Sequence, residues 1–74
     1  MATLNYTPVQ SSNLREIAYD EATETLGVRF HNGGEYHYAN VPKTVVEAML
    51  TSPSTGSFFA RNVRGQFETT KVGG

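Results

Sequence analysis

The chain has no cysteine and no tryptophan among its 74 residues. Without cysteine there is neither a disulfide framework nor a thiolate metal site, so packing and hydrogen bonds alone must hold the fold. The composition suits a reducing cytoplasm without marking it. An excess of either charge is also missing: six Lys and Arg against seven Asp and Glu leave a formal net charge of −1. No global field draws nucleic acid or an anionic membrane, and a phosphate-binding surface has to be a local patch. The N-terminus has neither the basic start nor the apolar run of a signal peptide. No window approaches the roughly 20 apolar residues of a membrane span, so we expect a cytoplasmic protein with no membrane partner. Length is the last deficit. A chain this short buries only about 60% of the surface its unfolded form exposes, which argues for one domain without a large enclosed pocket.

What the sequence does contain is alternation. Ile17 and Tyr19 in Leu14–Asp20, and Leu26, Val28 and Phe30 in 25–30, recur at period two and predict two strands joined by a turn at 20–23. His31-Asn32-Gly33-Gly34 supplies hairpin residues, and Glu35–Ala39 resumes the alternation. Two registers are open. A two-residue Asn32-Gly33 turn sets Arg29 opposite Tyr36 and turns Tyr36 and Tyr38 away from the core; a three-residue Asn32–Gly34 loop sets Phe30 opposite Tyr36 and brings both inside. Pro42 suits a first helical turn, and Val45, Val46, Met49 and Leu50 form a stripe at helical spacing that ends before Pro53. A second helix runs from the Ser54–Ser57 caps through Phe58, Phe59 and Val63 to a stop at Gly65. Residues 66–72 read as a final strand or extended tail.

The fold expected is α+β: an antiparallel meander of three or four strands, then two short helices on one face, with a C-terminal edge strand as an option. Residues 1–8 form an extended lead-in or short edge strand, 9–72 the domain, and Gly73-Gly74 a frayed tail. Leu14, Ile17, Tyr19, Leu26, Val28, Phe30, Val45, Met49, Leu50, Phe59 and Val63 are the expected core.

Candidate chemistry lies in the second helix. Arg61 and Arg64 stand three apart, a spacing that puts two guanidiniums on one helix face to fork onto phosphate, unless they pair with Glu47 or Glu68. Ser54, Thr55, Gly56 and Ser57 start that helix with hydroxyls and free N–H groups, serving either as an anion site or as ordinary capping. Tyr36 and Tyr38 are available for stacking. Ser11-Ser12-Asn13 reads as turn chemistry. His31, His37 and Glu35 fall short of a metal shell, no spacing implies a catalytic triad, and paired carboxylates are absent. The reading is a non-enzyme without metal or cofactor.

Ser11-Ser12-Asn13, Ile17–Asp20, Leu26–Phe30, Tyr36-His37-Tyr38, Val41-Pro42, Ser54–Phe59 and Val63-Arg64, in that order, resemble the KTSC domain family. That family takes its name from a domain at the C-terminus of some lysyl-tRNA synthetases and also occurs as small stand-alone bacterial and phage proteins. The resemblance implies characteristic positions at Ser11, Ser12, Tyr36, Tyr38, Gly56, Phe59 and Arg64, and RNA binding by analogy. Ala18 departs from a common Gly, and Ser57 and Ala60 stand where Arg and Asn are frequent, which weakens the phosphate site. The function expected is an RNA- or nucleotide-binding module. A homo-oligomer that binds a protein or sequesters a small nucleotide between subunits is the alternative.

Overall fold

The apolar alternation builds one antiparallel sheet. The computed structural model describes residues 4–73, and within them the order is β1 (Thr7–Pro8), β2 (Leu14–Asp20), β3 (Thr25–Phe30), β4 (Glu35–Tyr38), α1 (Lys43–Thr51), α2 (Thr55–Asn62) and β5 (Thr69–Gly73). The strands lie side by side in chain order, each antiparallel to its neighbour. This is the expected α+β fold with the C-terminal strand present. Gly73, expected to fray, pairs instead with Glu35. Met1, Ala2, Thr3 and Gly74 lie outside the described residues.

The β3–β4 hairpin follows neither expected register. Its loop is His31–Gly33: Phe30 N–H donates to Gly34 O at 2.8 Å, and Gly33 N–H donates to Phe30 O at 3.0 Å. Val28 therefore faces Tyr36, and Leu26 faces Tyr38. The left-handed position falls on Gly33, with φ +95°, rather than on Gly34. That moves the pairing by two residues from the expected three-residue loop. A two-residue shift keeps side-chain parity, so both tyrosines still face inward.

The core forms between the front of the sheet and the helices. Leu14, Ile17, Leu26, Val28 and Tyr38 meet Val46, Met49, Phe59 and Val63, with Tyr19, Phe30 and Val45 packed against them. Three expectations are corrected here. Leu50 is 53% exposed, because Val46 and Met49 centre the buried stripe of α1 and Leu50 lies on its uncovered flank. Val41, absent from the expected core, is fully buried and held on both sides: its N–H donates to Glu24 O at 2.8 Å, and its carbonyl accepts from the Tyr19 hydroxyl at 2.6 Å. Pro42 is the N-cap of α1 rather than part of its first turn, with φ −64° leading the chain in.

On the back of the sheet, Ala18 and Gly27 form a small-residue pair. Tyr6 lies across it, its hydroxyl 2.5 Å from where a Gly27 Cβ would stand. That hydroxyl donates to Glu35 Oε2 at 2.8 Å, and the Arg29 guanidinium sits 3.8 Å from the Tyr6 ring centroid. Arg29 also bridges Glu16 at 3.3 Å and Glu35 at 3.2 Å. The hydrogen bond from Tyr6 holds the Glu35 carboxyl below its ordinary 4.5, against the opposing effect of desolvation. Burial, followed by the bond to Glu35, pushes the Tyr6 phenol up to about 12. No helix among the described residues is long and apolar enough to cross a membrane.

Candidate functional site

The opposite, helix-covered side of the sheet opens beside α2 into a cleft of about 650 Å³. Its floor is aromatic because Phe30, Tyr36 and Tyr38 alternate onto the front face and Phe59 descends from α2 to meet them. The rings pack edge to face: Phe30–Tyr36 at 5.5 Å, Phe30–Phe59 at 5.7 Å and Tyr38–Phe59 at 5.4 Å between centroids. Tyr38 is buried and Tyr36 half-buried, so Tyr36 is the ring more open to a ligand. One end of the cleft is polar, with Asn13, His31 and Asn32 at the hairpin loop and the start of β2. Arg64 and Thr69 stand at the other end, near Tyr38.

Local hydrogen bonds fix this polar end. His31 N–H donates to Asn13 O at 3.0 Å, and His31 Nε2 lies 3.0 Å from Ser11 O. Asn32 Oδ1 accepts from Gly34 N–H at 2.9 Å, which leaves its amide N–H groups as the side chain's free donors. At the far end Arg64 is exposed. Among the described residues no carboxylate lies within 4.0 Å of it, so neither Glu47 nor Glu68 neutralises it. Burial raises the Tyr38 phenol above its ordinary value, and the positive charge of Arg64 partly opposes that rise.

The predicted residues separate into groups. Tyr36, Tyr38, Ser12, Gly56 and Arg64 line the cleft. Ser11, Ser54 and Ser57 line an adjoining recess of about 180 Å³ that shares Ser12, Asn13, Gly56 and Ala60 with it. Arg61 and Thr55 line neither space. The expected pairing of Arg61 with Arg64 on one helix face does not form, because α2 ends at Asn62. Arg64 N–H reaches back five residues to Phe59 O at 2.9 Å, and Gly65 at φ +78° turns the chain away. This irregular exit delivers Arg64 alone to the cleft. The start of α2 is partly capped by the chain itself: Ser54 Oγ accepts from Ser57 N–H at 3.3 Å, and its hydroxyl lies 3.1 Å from that of Ser57. The close approach that Gly56 allows is to Ser11, whose Oγ lies 2.6 Å from where a Gly56 Cβ would stand.

Sequence reasoning missed Asn13, His31, Asn32 and Thr69 as lining residues. The hairpin register carries the signal for the first three, since once the loop is His31–Gly33 its polar side chains fall beside the Ser11–Asn13 segment. Thr69 depends on β5 closing the sheet. His31 and His37, weighed together as metal ligands, are separated: His31 joins the cleft, whereas His37 Nε2 lies 3.8 Å from Glu35 Oε2 on the back face.

Comparison with known proteins gives the same architecture a family. A crystal structure of a KTSC domain protein from Yersinia pestis superposes with a TM-score of 0.92 at 31% identity, covering 96% of this chain and all of that one. A protein from Tsukamurella paurometabola is 38% identical over 65 residues, 88% of this chain and 97% of its own length. A lysine–tRNA ligase from Trichormus variabilis is 36% identical over 59 residues, which are 80% of this chain and 10% of the ligase. The chain thus spans about a tenth of the ligase it matches. With a KTSC domain model also matching residues 10–67, over β2 to β4, both helices and the cleft floor, the chain belongs to the KTSC domain family.

Proposed function

We propose that this domain is a non-catalytic module that binds RNA or a phosphate-bearing nucleotide in the front cleft. The observation that carries the reading is Arg64: a guanidinium without a carboxylate partner among the described residues, at the end of a cleft floored by Tyr36, Tyr38, Phe30 and Phe59. A free cation beside the accessible edge of an aromatic floor, here the half-buried Tyr36, is a combination that holds an unstacked nucleotide, through phosphate at one end and base at the other. The ligase similarity adds support, since that relative is named for a tRNA substrate. The cleft imidazole is engaged with the Ser11 carbonyl rather than poised on a hydroxyl, in keeping with binding without turnover. On this reading the protein works in the cytoplasm.

The test is fluorescence anisotropy with a labelled single-stranded RNA oligonucleotide. Affinity is expected to fall with salt and to drop at least tenfold in Arg64→Ala with the fold intact. Salt-insensitive or undetectable binding sinks the RNA version.

A second reading, a homo-oligomer with a shared interface for a protein or nucleotide, draws on the exposed Leu50 and Val72, 53% and 45% accessible, and on the outer edge of β5. Mass measurement at micromolar concentration decides it: a strictly monomeric species removes the shared cleft.

A further inference from the structure

We propose that the front cleft recognises one phosphate only, taking a nucleoside monophosphate or a single nucleotide unit of a strand and gaining nothing from a second phosphate. This rests on the nucleotide-binding reading and narrows its ligand. The charge inventory of the cleft is the argument. Arg64 is its one Lys or Arg, and no carboxylate lines it. Arg61 and Lys71, the basic residues nearest in sequence, line neither the cleft nor the recess. The N–H groups that make helix starts attractive to phosphate chains are in part taken up at α2 by the Ser54 cap, and Ser11 presses on Gly56. A β- or γ-phosphate would therefore remain in water, where its charge finds no partner.

Geometry sets the orientation of that unit. Tyr36 and Tyr38 are two positions apart on one strand, so the more open Tyr36 ring lies about 7 Å along the sheet from Tyr38, the ring that feels the charge of Arg64. A phosphate on Arg64 leaves the sugar over Tyr38 and Phe59 and the base against Tyr36. Beyond the ring, Asn32 offers its two amide N–H donors, while Gly34 N–H occupies one of the two acceptor sites of its carbonyl oxygen. Donors at that point suit a base edge rich in acceptors, such as the O6 and N7 of guanine.

The experiment is an NMR chemical-shift titration of the full chain with guanosine, GMP, GDP and GTP in magnesium-free buffer, repeated on Arg64→Gln. GMP is expected to bind at least tenfold more tightly than guanosine, with GDP and GTP within about threefold of GMP. Arg64→Gln should reduce GMP to the level of guanosine, with an otherwise native spectrum showing that the fold is intact. For a short RNA the slope of log K against log salt is expected near −0.7, the value for one released counterion on a single strand. GTP binding more than tenfold tighter than GMP, or guanosine equal to GMP, overturns the single-phosphate assignment while leaving nucleotide binding in place. RNA binding with a slope steeper than about −1.4 overturns it in the same way. If neither RNA nor any nucleotide binds, the parent reading fails as well.

Discussion

Ser11 Oγ accepts from the backbone N–H groups of Asn13 and Leu14, both at 3.2 Å, and in doing so fills the space a side chain at position 56 would need. Gly56 is therefore required by packing, whatever else the start of α2 does. Gly56→Ala is expected to cost about 1–3 kcal/mol by displacing that hydroxyl. Ser11→Ala should cost about 1 kcal/mol, and the double variant less than the sum, because removing the hydroxyl makes room for the new methyl; urea unfolding of the four proteins measures the coupling. Across the sheet, Glu35 ties stability to pH. Its folded pKa is depressed by Tyr6 and Arg29, so the stabilisation it supplies is present above about pH 4.5 and disappears as pH falls through the lower folded value. Glu35→Gln should flatten that acid limb in denaturation curves recorded across the range, whereas an unchanged limb would show that the network contributes nothing. Glu24, a non-glycine residue at φ +56°, offers the opposite kind of change. Glu24→Gly should raise the thermal midpoint by a few degrees, roughly 0.5–1 kcal/mol of relieved strain.

The helices and strands differ in how openly the sequence declares them. Period-two runs identified β2, β3 and β4 because each strand buries one face and shows the other to polar neighbours. The capping serines and the Val45–Leu50 stripe identified α1 and α2 by the same logic at helical spacing. The two-residue β1 could not be read this way, since two positions cannot display a period. Nor could burial of Ala18 and Val41 be seen: Ala18 pairs with Gly27 on the back face, where Tyr6 packs, and Val41 is buried by a turn rather than by a periodic element. In the site, the tyrosines and Arg64 were legible as chemical types. Their convergence was not, because it depends on a hairpin register shifted by two and on an irregular exit from α2. Helix α1 offers a direct check on the stripe. Met49→Ala should cost about 2–5 kcal/mol, whereas Leu50→Lys, at a position 53% exposed, should stay within about 0.5 kcal/mol of the parent by urea denaturation.

For the molecule as a whole, a net charge of −1 and a cleft with one cation mean that attraction for the anionic ligand we propose is short-ranged and confined to one place. Ligand occupancy and global stability should then move together. At a hundredfold excess over Kd, GMP is expected to raise the thermal midpoint on the order of 10 °C, and Arg64→Gln should abolish most of that rise in scanning calorimetry. The likeness to the Yersinia pestis protein, a TM-score of 0.92 at 31% identity, shows that this architecture tolerates wide change in sequence. The strand order has a further consequence, for assembly in time. Because the strands lie in chain order, β1 to β4 can zip together from neighbouring hairpins as the chain is synthesised, with little loop-closure entropy to overcome. Strand β5 can join only after both helices have been made, and with it comes Thr69, the last wall of the cleft. The cleft is therefore the final part of the molecule to form, and the nucleotide site we propose is complete only when the last strand is in place.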